Sequence, residues 1–173
     1  MMSAAMALDG IRVLELSGFH GAYCGKLFAD LGAEVTLIEP PGGSPLRSKP
    51  PFDANGGDAR ISLPFAYFAA NKRSAVIDLS QAQGQSAFRT LVAAAHLVIL
   101  GDHPQTERID LAALSSAHPS LICTRITPYG ADGPYAGYIG DDLTLMAMGG
   151  LLNLAGHPDA QPAVAYGEQG VLA

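Results

Sequence analysis

A chain of 173 residues has room for one well-buried domain and not for two of ordinary size. Hydrophobic residues make up 49% of it and charged residues 15%, which excludes a disordered acidic chain and suits an α/β core with strands buried on both faces. The formal charge of −6 argues against broad nucleic-acid binding, which needs a basic face to displace phosphate counterions, so an anionic ligand must be held by a few placed cations.

Ile11 to Leu16 (IRVLEL) reads as a buried strand, broken by Gly18 and Gly21. Ala22 to Leu31 has helical spacing, with Leu27, Phe28 and Leu31 on one face and Gly32 as its stop. Glu34 to Ile38 (EVTLI) is a second strand, ended by Pro40-Pro41. A βαβ unit of about thirty residues predicts parallel strands joined by a right-handed crossover. Pro41 to Pro64 is rich in Pro, Gly, Ser and Asp, and a loop of that length inside a compact domain is expected to be functional or mobile. A short helix over 65–70, a strand over 74–79 and an amphipathic helix over 81–95 follow. Then come a buried strand at 97–100, a helix at 111–117 and a strand at 121–127. This order predicts an α/β fold, a doubly wound parallel sheet with ligand chemistry at the carboxyl ends of its strands. Beyond Thr127, glycines at 130, 133, 137 and 140 mark an irregular loop, and Asp141 or Asp142 is a candidate N-cap for a helix through Met148. The chain stops in the apolar Val171-Leu172-Ala173, a poor natural terminus that reads as an incomplete chain.

Cys24 and Cys123 fit no metal or CxxC spacing and read as reduced thiols. Met1 to Leu8 lacks the basic and apolar regions of a signal peptide, and no apolar run reaches the ~18 residues of a membrane span. The expectation is a cytoplasmic protein with neither membrane nor nucleic acid among its partners.

Chemistry-bearing residues fall in a few places. The turn after the first strand places glycines at 18, 21 and 25, not in the GxGxxG spacing of a dinucleotide site, so an NAD-linked dehydrogenase is disfavoured. His20 leads from this turn into the helix, and Glu39 at the end of the second strand reads as a solvated strand-end charge. Lys72 and Arg73 are either exposed basic residues of a turn or a phosphate clamp. Asp141-Asp142 is a cap and its neighbour, or an acid/base couple. Glu168, flanked by Gly167 and Gly170, is a surface turn residue or a nucleophile or base. His103 ends the strand at 97–100 and is expected at the ligand edge.

These blocks resemble a known family. Leu8 to Leu16 (LDGIRVLEL) is similar to the LxGxRVLDL opening of family III CoA-transferases, the group named for carnitine and bile-acid CoA enzymes and including formyl-CoA transferases. FADLGAEVTLIEPPGG (28–43), NKRSAVIDLS (71–80), TPYGADGPYAG (127–137) and GDDLTLMAMGG (140–150) resemble that family's landmarks in the same order, and the likeness runs from residue 8 to 173. It implies a Rossmann-like large domain, a smaller C-terminal domain, an interlocked homodimer and subunits more than twice this length. Residues 1–173 are thus expected to be the N-terminal portion, with the C-terminal remainder absent.

The implied activity moves coenzyme A between carboxylic acids, with acyl-CoA and a free acid as partners, through a carboxylate nucleophile and without a metal. By position the resemblance gives Phe19, His20 and Gly21 to CoA contact, and Lys72 and Arg73 to its phosphates. One register puts the catalytic carboxylate at Glu168; another puts that position at Val171. The family's ENFRPG segment is here Leu100-Gly101-Asp102-His103-Pro104-Gln105, a departure that allows a catalytically degenerate CoA-binding or dimer-stabilising domain. The position of the histidine used by 2-methylacyl-CoA racemases is Asp141, which disfavours that mechanism.

Overall fold

The computed structural model describes residues 6–54, 60–157, 159–163 and 167. Five strands, β1 (Arg12–Leu16), β2 (Glu34–Glu39), β3 (Arg73–Val76), β4 (Leu97–Leu100) and β5 (Ile122–Arg125), form one sheet in the order β3-β2-β1-β4-β5. Every neighbouring pair is parallel, with Val13 opposite both Val35 and Leu97, so the expected doubly wound α/β sheet is the observed one. The strand order reverses between β1 and β4, and in an open parallel sheet that reversal opens a crevice at the carboxyl ends.

The period of two in strand side chains assigns the faces. Val13, Val35 and Ile99 pack with Ala29 and Phe28 of α1 (Ala22–Asp30) on one face. Leu14, Leu16, Ile38, Val98 and Leu100 pack on the other with Phe88 and Val92 of a long helix, Ala82–Ala94. That helix is α3; α2 is Leu63–Phe68, and α4 (Leu111–Ala117) also contributes to this second face. The central strands are mostly buried, whereas Val76 on β3 and Ile122 on β5 are 65% and 62% exposed, as befits the two edges.

β3 is shorter than the expected 74–79 strand. Ile77 still donates its N–H to the Glu39 carbonyl at 2.9 Å, and Ile77 and Leu79 remain buried after pairing with β2 has ended. The Pro/Gly-rich stretch after β2 has structure of its own: a 3₁₀ turn at Pro45–Ser48, and an antiparallel bridge from Phe52 to Ser62, which caps α2 by accepting from the Phe65 N–H. Among the described residues no helix is long and apolar enough to cross a membrane.

Residues 127–173 form a separate compact unit. In it α5 (Asp142–Met148) starts at a capping box: Asp141 accepts from the Thr144 N–H at 2.8 Å and Thr144 Oγ1 accepts from the Asp141 N–H at 2.9 Å. Asp141 is therefore the cap of the two readings offered by the sequence. Tyr138 packs edge to face against Tyr129 and Tyr135 in the glycine-rich loop before it.

Candidate functional site: the crevice between β1 and β4

The turn from Ser17 to Ala22 leaves the carboxyl end of β1 at the reversal point. Gly101, just past β4, lies so close that a Cβ there would meet the His20 carbonyl oxygen at 1.9 Å, so only glycine fits. Gly21 adopts φ 100° as it leads into α1. Between these two glycines, successive backbone N–H groups point into the crevice.

Those donors are engaged. The Asp102 carboxylate accepts from Gly18 at 3.1 Å, Phe19 at 3.1 Å and His20 at 2.7 Å. Such a concave row of N–H groups is a ready anion site, and here the chain's own carboxylate satisfies it. The His20 ring follows the same carboxylate, with Nδ1 3.4 Å from Oδ2, and its side chain is 16% exposed. Neither ring nitrogen has a hydrogen-bond partner among the described residues.

Phe19 points the other way, into an aromatic cluster. Its ring meets Phe68 edge to face at 5.5 Å, and Phe68 also packs against Tyr23 and Tyr67. Lys49 lies over the Phe19 ring at 4.1 Å and Arg47 over Phe65 at 4.0 Å. Cation over aromatic face is an attractive pairing, and it puts positive charge beside the turn in an otherwise acidic chain.

Beneath the turn lies a buried ion pair. Glu15, one residue from the carboxyl end of β1, is 1% exposed, and its Oε2 is 2.6 Å from Lys72 Nζ, on a side chain 2% exposed. Lys72 also donates to the Ala22 carbonyl at 2.8 Å, while Ser17 Oγ donates to Glu15 Oε1 at 2.6 Å. Burial raises the Glu15 carboxyl and lowers the Lys72 ammonium, each toward its neutral form, and their mutual attraction opposes both shifts. The pair needs Gly25 above it: a Cβ there would come within 1.7 Å of Glu15 Oε2 and 3.0 Å of Lys72 Nζ.

The adjacent cations expected at the β3 entrance are therefore separated. Lys72 is turned under α1, whereas Arg73 is 74% exposed and pairs with Glu34. No shared basic face at this turn remains to act as a two-residue clamp. Glu39 is corrected too: it is 1% exposed and not solvated. It accepts from Arg47 Nε at 2.6 Å and Nη2 at 2.7 Å, from the Ser44 N–H at 2.7 Å, and from Ser74 Oγ. The Arg47 fork is the largest cause that holds its carboxyl down at about 2. His103, expected at the ligand edge, is 5% exposed; its Nδ1 accepts from the Gln105 N–H, and burial lowers its pKa. Glu168 and Val171, the two registers for the catalytic carboxylate, lie outside the described residues. No cluster of potential metal ligands occurs among the described residues.

Sequence reasoning pointed to the turn of Phe19, His20 and Gly21 but missed Glu15, Lys49 and the three-donor grip of Asp102. Glu15 carried a usable signal, a carboxylate flanked by leucines within a strand. Lys49 carried none.

Known proteins are similar to this chain in sequence and in fold. The CoA-transferase family III profile matches residues 8–169. A subunit of succinyl-CoA:(R)-benzylsuccinate CoA-transferase from Thauera aromatica is 38% identical over 161 residues, which is 91% of this chain and 39% of that protein. The succinate–glutarate CoA-transferase of Agrobacterium fabrum is 37% identical over 163 residues, covering 90% of this chain and 40% of its own length. A solved CAIB/BAIF family protein from Brucella suis superposes with a TM-score of 0.82 at 35% identity, covering 95% of this chain and 44% of that one. The chain thus spans about two-fifths of the length of the curated relatives it matches. It belongs to CoA-transferase family III.

Proposed function

We propose that the protein of which these residues form a part transfers coenzyme A from a CoA thioester to a free carboxylic acid, with residues 1–173 as the N-terminal portion of a longer, homodimeric subunit. The observation that supports this reading is the position of the Phe19-His20-Gly21 turn at the reversal point of the sheet, where open parallel sheets commonly bind ligands. The name of the Thauera aromatica relative supports a succinyl-CoA donor.

In this reading the CoA chain lies along the turn. Phe19 offers an apolar face with Lys49 above it, and His20 lies at the crevice just ahead of α1. Asp102 already fills the N–H donors of Gly18, Phe19 and His20, so the turn contributes shape and the cations contribute charge. Arg73, exposed in its pair with Glu34, exchanges that partner for a more distant phosphate, and Lys72 acts from beneath. Glu168 supplies the nucleophile: its carboxylate attacks the thioester carbonyl and the CoA thiolate leaves, giving a mixed anhydride. The thiolate then attacks the glutamyl carbonyl and releases the donor acid, leaving CoA on the enzyme as a thioester. The acceptor acid reverses these steps. Splitting one acyl transfer in this way is how a weak carboxylate nucleophile gains rate.

The test is intact mass of the full-length protein after incubation with succinyl-CoA. A transferase retains a covalent CoA adduct that Glu168→Gln abolishes. An unmodified parent would leave a CoA-binding or dimer-stabilising domain without catalysis, and an adduct surviving in Glu168→Gln would move the nucleophile elsewhere.

A further inference from the structure

The buried pair beneath the turn has no evident reason to be charged if its task is stability alone. An apolar pair of the same volume is commonly as stable as a buried salt bridge or more so, because both ions lose their hydration. What charge and polarity supply here is direction. Lys72 Nζ reaches the Ala22 carbonyl at 2.8 Å, and Glu15 Oε1 holds Ser17 Oγ at 2.6 Å. Ser17 opens the turn and Ala22 closes it, and the ionic contact of 2.6 Å between Glu15 and Lys72 ties the two anchors together. Gly25 leaves the space that lets this happen under a helix.

We propose that Lys72 is a positioning residue: with Glu15 it fixes both ends of the Ser17–Ala22 turn from below, so that the Phe19 and His20 backbone is held in the crevice before any ligand arrives. For the effect on coenzyme A the inference rests on the function proposed above; for the effect on the turn it stands alone. Preorganisation of this kind spares a ligand the cost of ordering the loop it binds.

The separating variant is Glu15→Gln/Lys72→Met. It removes both charges at nearly constant volume and keeps an acceptor for Ser17, but it has no donor for the Ala22 carbonyl. Amide hydrogen exchange at Gly18, Phe19 and His20 is the main readout, with thermal melting and CoA titration beside it. The expected result is a melt close to that of the parent, exchange at the three amides about tenfold faster or more, and weaker CoA binding. Lys72→Met alone is expected to be less stable than the double variant, since it leaves Glu15 without its cation. Unchanged exchange at those amides in a folded double variant would overturn the positioning role, whatever CoA does. Faster exchange in a protein whose parent does not bind CoA would uphold the role of Lys72 and refute the ligand. A double variant that fails to melt cooperatively would make the pair a stability element and overturn the proposal as well.

Discussion

Glu15 and Glu39 stand on neighbouring strands, each 1% exposed, and their surroundings drive them in opposite directions. Glu39 ends β2, where the chain turns into a loop rich in donors. The Arg47 fork, the Ser44 N–H and Ser74 Oγ all point at it, and its carboxyl falls to about 2. Glu15 lies within β1 with one cation and one hydroxyl, and burial wins: its carboxyl rises. Low exposure alone therefore does not set the charge state of a carboxylate: desolvation dominates at Glu15, and the Arg47 fork with its fellow donors dominates at Glu39. The placement also divides the labour. Glu39 fastens the loop over 41–48 to the sheet, and Glu15 braces the turn that forms the crevice.

Three substitutions probe this comparison, in order of decreasing effect. Lys72→Met leaves a buried carboxylate without its cation, and losses of about 3–5 kcal/mol are typical of breaking such a pair from one side. Urea denaturation of parent and variant measures it; a loss below about 1 kcal/mol would mean that Glu15 takes up a proton at little cost. Arg47→Ala removes the largest donor from Glu39, whose partner is 46% exposed, and should cost about 2 kcal/mol near neutral pH. Its acid limb is the sharper test. The Glu39 carboxyl is lowered from 4.5 to about 2 on folding, so its contribution is present above 4.5 and is lost as pH falls toward 2. In Arg47→Ala the folded value moves up, so stability should depend less steeply on pH below 4.5. An unaltered acid limb would show that Ser44 and Ser74 hold the carboxylate unaided. Arg73→Ala removes an exposed pair with Glu34 and should change stability by about 1 kcal/mol or less, although it is the sequence neighbour of Lys72.

What could be read from the sequence was local. Strand positions followed from apolar runs, the helix at 142–148 from a cap whose partner is three residues away, and the parallel sheet from the βα alternation. The site was legible only as a turn. Lys72 reaches a carbonyl 50 residues back, and Asp102 grips amides up to 84 residues away. No periodicity encodes such pairings, which exist only once strands from both halves of the sheet are side by side. Glu39 was misread for the same reason, since its bidentate arginine comes from a loop whose path composition does not reveal. His103 looked like an edge residue because it follows β4; the turn at 103–106 folds it inward.

The functional claim is decided most directly by following backbone amide shifts while coenzyme A is titrated into this chain. The account predicts saturable shifts centred on Phe19, His20 and Gly21, weakened by added salt because placed cations supply part of the affinity. Shifts confined to other surfaces, or none at millimolar coenzyme A, would contradict it.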